Sequence, residues 1–214
     1  MRNTNKSVII FLIVIAILSL TNLLNIKIDG EVLKLSGISV IVGVVAYFVT
    51  RKTSKIKDEE LNIKTIFKDF KNKKVIIFAI MPLVLNIICV IIAKKYLPEF
   101  LDHVSGRTSF VTSSDIMKTI LSIGIMTLGE EIAWRAFFQK QTTRIIKFIP
   151  SIIVTSILFS LGHFNAANLI IVLYDLLFIF FNSIFYGLVF KETDNAWCSW
   201  MPHFLADILG LFLI

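Results

Sequence analysis

Glu130 and Glu131 are adjacent carboxylates followed by Arg135, and all three fall inside the apolar run Ile116 to Phe138. A charged side chain at the centre of a membrane-spanning helix costs roughly 2.5–3.5 kcal/mol on insertion scales, so a cluster there must be packed, paired or used. Two histidines share the setting: His163 closes Phe159-Ser-Leu-Gly-His163, and His203 opens His203-Phe-Leu-Ala-Asp207. A carboxylate that takes a proton from water, with hydrogen-bond donors where oxygen charge develops, is the equipment for hydrolysis of a carbonyl bond. Two imidazoles and a carboxylate are also a zinc ligand set with one open position, to which Asp207 could add a fourth ligand, although no His-Glu-x-x-His motif is present.

Helical geometry divides these residues by role. At about 100° per residue, Glu130 and Glu131 point in different directions and are not expected to share a task. Glu131 stands four residues before Arg135, the favoured orientation for an acid–base pair, and is assigned to that pair. Glu130 has no partner on its own helix and is the candidate general base. Phe159 shares a helical face with His163, and His203 shares one with Asp207. A lone histidine in a helix is more often a packing residue than a catalyst. The recurrence of such groups on three separate spans favours one convergent site, which would satisfy them all.

The elements that must position them are set by composition. Of 214 residues, 56% are hydrophobic and 17% charged, with a mean hydropathy of +0.82, whereas soluble domains carry roughly 25% charge. The expected fold is all-α, a polytopic transmembrane bundle of about seven helices, each needing about 20 mostly apolar residues. The windows are Ser7 to Ile26, Leu35 to Thr50, Val75 to Ala93 with a kink at Pro82, and a helix capped by Ser114-Asp115 that ends near Lys140. Ile149 to Phe190 holds two more, divided by Gly162 to Asn168, with Pro150 in the first turn of the former; the last begins at Ala196. The start of the chain resembles a signal-peptide n-region, but the length of the first window and the lack of an Ala-x-Ala-like site argue for a retained anchor. Residues 94–114 read as a polar loop with His103 exposed.

Residues 51–74 carry nine Lys or Arg against four acids. With the N-terminal Arg2 and Lys6 and the connections around Lys140, Arg144, Lys147 and Lys191, they orient the bundle with a cytoplasmic N-terminus in a cell membrane. Ile63, Ile66, Phe67 and Phe70 give part of this insertion an apolar face, so it is expected along the membrane surface, with anionic lipid rather than nucleic acid as partner. Cys89 and Cys198 have no metal spacing and read as packing residues. Ser39 and Gly43 form a small-residue pair suited to close helix approach, and Asn182 and Ser183 to bonds across helices. Asp175 reads as a cap or interfacial residue, and Trp134, Trp197 and Trp200 as interfacial anchors or cavity walls.

From about Asp115 onward the chain resembles the CAAX-protease and bacteriocin-processing (CPBP, or Abi) intramembrane proteases, a group that includes lysostaphin-resistance-like proteins. That family carries Glu-Glu-x-x-x-Arg, Phe-x-x-x-His and His-x-x-x-Asn or Asp in this order, matched here by Glu130 to Arg135, Phe159 to His163 and His203 to Asp207. The resemblance implies an N-terminal helical part, 1–114, and a catalytic core, 115–214, within one integral membrane domain. It implies that Glu130 and His163 activate water and that His203 and Asp207 hold the oxyanion or bind metal, with Glu131, Arg135 and Phe159 in support. The implied reaction is endoproteolysis of a membrane protein or peptide substrate, in some relatives as a metalloprotease. The residues leave two other classes open: a noncatalytic bacteriocin-immunity or scaffold protein that regulates a partner such as a sensor kinase, and a proton-coupled transporter, for which the paired broken helices are missing.

Overall fold

The computed structural model describes residues 6–24, 27–28, 31–32, 35–54, 60–109 and 114–214. Helix α1 (Lys6–Leu20) runs into a 3-10 turn (Thr21–Leu24), and a two-residue antiparallel ladder pairs Lys27–Ile28 with Glu31–Val32 ahead of α2 (Ser36–Ser54). After a 3-10 turn (Ile63–Thr65) come α3 (Ile66–Asp69), α4 (Lys73–Tyr96), α5 (Glu99–Thr108) and α6 (Ile116–Glu131). A π-helical segment (Ile132–Gln139) joins α6 to α7 (Lys140–Ile145), followed by α8 (Phe148–Gly162), α9 (Leu169–Thr193) and α10 (Ala196–Leu213). Arg2, Lys55 and Lys57, basic residues that orient the expected bundle, lie outside the described residues.

This is the expected helical membrane bundle. Lys6–Leu24, Lys73–Tyr96, Leu169–Thr193 and Ala196–Leu213 are long and apolar enough to cross a membrane. The other expected spans are present as α2, the rod formed by α6, the π segment and α7, and the shorter apolar α8. The burial pattern is that of a protein dissolved in lipid. Ile10, Ile13 and Ile17 on α1 and Ile77, Ile80 and Ile91 on α4 are exposed, while Thr127, Ser151, Thr155, Ser156, Ser183 and Ser199 are buried at helix contacts. Helix starts follow local chemistry: the side chains of Asn72, Asp115, Asn168 and Asn195 each accept a hydrogen bond from a first-turn backbone N–H.

The π segment is the centre of the main core. Its apolar residues pack with Val8, Leu12 and Ile15 of α1, with Ala46 and Tyr47 of α2, and with Phe159 and Phe190. π-Helical geometry is rare and concentrates at functional sites. Here its end is held by neighbours: the Gln139 carbonyl accepts from Ser151 Oγ at 3.0 Å and Thr143 Oγ1 at 2.8 Å, and the Gln139 side chain donates to the Gly187 carbonyl at 3.0 Å. On the other side Gly43 lets α2 approach so closely that an added Cβ would stand 2.5 Å from Ala133 Cβ. Gly43→Val is therefore expected to destabilise the protein by about 1–3 kcal/mol through overpacking. A lowered thermal midpoint in detergent, larger than that for valine at the open position Gly37, would be the measured result.

Two expectations change. Residues 94–114 do not form a loop throughout: α5 is an amphipathic helix whose Phe100 is buried with Cys89, Ala93 and Ile171. The apolar face expected over 63–70 is split, because Ile66 and Phe70 pack on Val75, Ala79, Val189 and Cys198, while Ile63 and Phe67 are 60% and 87% exposed. This segment is pinned at its start. The buried Glu60 carboxylate accepts from Arg51, Lys140 and Tyr47, and its backbone carbonyl accepts from Ala196 N at 2.7 Å.

Candidate active site

His203 is the meeting point of the polar groups the bilayer should have excluded. The start of α10 is fixed by Asn195, whose side chain caps Trp197 N and donates to the Asn62 carbonyl (2.8 Å) and Thr65 Oγ1 (3.0 Å). From this base His203 projects toward α6. Its Nδ1 lies 2.8 Å from Glu131 Oε1, and its Nε2 lies 3.6 Å from Glu130 Oε2 and 3.8 Å from Asp207 Oδ2. Both nitrogens face carboxylate oxygens, Nδ1 at hydrogen-bond distance from Glu131 and Nε2 at ion-pair distance from Glu130 and Asp207. Glu130 and Glu131 do diverge on α6, yet an imidazole between them presents one nitrogen to each. The Glu131–Arg135 pair is present, and Glu131 contacts His203 as well.

Arg135 and Glu131 are fully buried, with Nε 3.4 Å from Oε2. The contact is one of charge rather than hydrogen bonding, for Glu131 Oε2 and Arg135 Nε and Nη1 have no hydrogen-bond partner. Arg135 Nη2 donates to Ser183 Oγ at 3.1 Å, the cross-helix bond expected of that serine. Its guanidinium also lies over the rings of Phe159 (5.1 Å) and Tyr186 (5.9 Å).

Phe159 packs against both histidines. Its ring centroid is 4.6 Å from that of His163 and 5.8 Å from that of His203. His163 makes no hydrogen bond or ion pair with Glu130. It stands just past the C-terminal end of α8, its Nδ1 2.8 Å from the Phe159 carbonyl. That bond makes Nδ1 the donor and leaves Nε2 as the acceptor nitrogen, a tautomer assigned from the hydrogen-bond network. Glu130, Glu131, Arg135, Phe159, His203 and Asp207 thus form one contiguous cluster, with His163 one aromatic ring away.

Other residues emerge only in three dimensions. Tyr186, in the apolar run of α9, stacks on His203 at 4.4 Å and 16°, and nothing in its sequence neighbourhood distinguishes it from a packing tyrosine. Asp175 is not a helix cap: it is buried, with Arg107 Nη2 3.2 Å from Oδ1 and His103 Nε2 3.3 Å from Oδ2. His103 is accordingly not solvent-exposed, because α5 folds its polar face over α9. Its charge in an apolar run was the signal that Asp175 needed a partner. Trp134 is also buried, against Phe138 and Phe159.

The site has a sealed side and a reachable side. Glu131 and Arg135 are closed off, whereas the Glu130 side chain is 11% exposed and that of Asp207 38%. A water reaching this opening would meet a carboxylate base and an imidazole N–H. Glu130, His163, His203 and Asp207 were the expected donors for zinc. Among the described residues, no group of three or more His, Cys, Asp or Glu side chains is arranged to hold a metal ion.

Residues 112–209, a little under half of the chain, match the family model described as type II CAAX prenyl endopeptidase, Rce1-like. The match contains every residue of the cluster. No curated protein and no solved structure matches the chain.

Proposed function

We propose, from the match of residues 112–209 to the Rce1-like type II CAAX prenyl endopeptidase family model, that this membrane protein is an intramembrane endopeptidase cleaving a membrane-associated protein or peptide. The observation that carries the reading is the asymmetry of the two neighbouring glutamates about His203: one is sealed in an ion pair and orients Nδ1, while the other is reachable and faces Nε2. Glu130 accepts a proton from the attacking water. His163, whose Nε2 is the free acceptor nitrogen, orients that water from beyond Phe159. The water oxygen bonds to the peptide carbon, and the Nε2–H of His203 stabilises the oxyanion. The C–N bond then breaks as the amine leaves with the proton that Glu130 had taken. Asp207, with no N–H to offer, acts through its charge on the imidazole rather than on the oxyanion.

On this reading the N-terminus is cytoplasmic and the substrate reaches the site within the bilayer. Mass spectrometry of membrane and secreted peptides from cells carrying the wild type or Glu130→Gln tests it, with truncated products expected only in the wild type. Identical peptide sets would sink the proposal. The donor arrangement leads us to expect full activity of the purified enzyme after exhaustive chelation. Loss of activity that zinc restores would replace this mechanism with a metal-dependent one.

A further inference from the structure

We propose that the Tyr186 hydroxyl is a second catalytic donor, hydrogen-bonding the carbonyl oxygen of the reacting peptide beside His203; this rests on the endopeptidase reading above. A buried phenol ordinarily has its hydroxyl satisfied by the protein. Two other tyrosines of this bundle follow that rule: Tyr174 donates to the Cys89 carbonyl at 2.7 Å, and Tyr47 lies 3.3 Å from Glu60 Oε2. Tyr186 breaks it. The residue is buried, yet among the described residues its hydroxyl has no hydrogen-bond partner. The oxygen is left available to a bound group, on a ring stacked against His203. The charged groups that act on it are Asp207, Glu131, Arg135 and Glu130, which are the groups of the proposed catalytic cluster.

The ring is held so that the donor is preorganised. It lies flat on the His203 imidazole, 16° from parallel, and beneath the Arg135 guanidinium. The chemistry also calls for a second donor. The Nδ1 of His203 is used by Glu131, leaving Nε2 as its single available donor, and the Asp207 carboxylate would repel an oxyanion. A neutral phenol adds a hydrogen bond without adding charge to a site that already holds three carboxylates. When water adds, the carbonyl π pair moves to oxygen, and the oxyanion accepts from Nε2–H and from the Tyr186 O–H. Both protons stay with their donors, and the pair returns when the C–N bond breaks.

Wild type, Glu130→Gln and Tyr186→Phe are compared in one peptide-cleavage assay. Phenylalanine keeps the stack and removes only the donor. The expected result is a fall in kcat of about 100-fold with KM and thermal midpoint unchanged. The inhibition constant of a phosphinic peptide, a mimic of the tetrahedral intermediate, should rise by a similar factor. A Tyr186→Phe enzyme with wild-type kcat overturns the assignment while leaving the endopeptidase reading intact. A loss accompanied by a parallel rise in KM or a lowered midpoint, with phosphinate affinity unmoved, marks a packing role and overturns it too. A wild-type protein that cleaves no peptide overturns both readings.

Discussion

Glu130→Gln is expected to abolish cleavage while leaving the protein folded in its membrane. Glutamine keeps the size and one acceptor oxygen of the side chain but cannot take a proton from water, and loss of general-base catalysis costs about 10²–10⁴-fold in rate. The structural cost is small for a stated reason. Glu130 makes one charge contact, 3.6 Å from His203 Nε2, and sits on the reachable side of the cluster. Initial cleavage rates and the thermal midpoint of purified protein check the two halves separately. A variant that cleaves at the wild-type rate removes Glu130 from the chemistry.

Glu131→Ala should have the opposite signature, failing in stability as well as activity. Arg135 is fully buried, and Glu131 is the carboxylate paired with it. Removing one partner of such a pair strands the other charge, which costs about 3–5 kcal/mol, a large share of the about 5–15 kcal/mol that holds a typical domain together. The same substitution takes the acceptor from His203 Nδ1. Glu131→Ala/Arg135→Met separates the two consequences. Methionine fills the apolar space beside Phe159 and Tyr186 without charge, so the double variant should regain most of the lost midpoint. It should remain inactive, because the imidazole is still unoriented. A single variant as stable as the wild type, or a double variant less stable than the single, would mean that the pair does not hold this region.

The contrast between the two glutamates was partly legible from the chain. Spacing four residues from Arg135 assigned Glu131 its partner, and an α-helix through Glu131 kept Glu130 on a different face, because both relations are local and follow from helical geometry. What spacing could not give is that the two side chains meet again at one ring. His203 arrives from α10, 72 residues beyond Glu131, and its orientation depends on Asn62, Thr65 and Glu60 gripping the start of that helix. His163 is likewise placed by packing: α8 ends at Gly162, and the Phe159 ring lies 4.6 Å from the His163 ring and 5.8 Å from that of His203.

The sequence by itself determined the solvent, the helices and the candidate chemistry. Apolar windows of spanning length, polar caps at helix starts and charges placed where a bilayer penalises them are properties of short stretches, and lipid gives such stretches few alternatives to the helix. Only the tertiary structure decided which groups are sealed and which are reachable. The π geometry of 132–139 depends on Ser151, Gly187 and the close approach at Gly43; α5 covers α9 because Asp175 needs Arg107 and His103; Tyr186 is singled out by the ring beneath it. Each of these results from contacts between residues far apart in the chain, whose energies depend on distances of a few ångströms that no local pattern encodes.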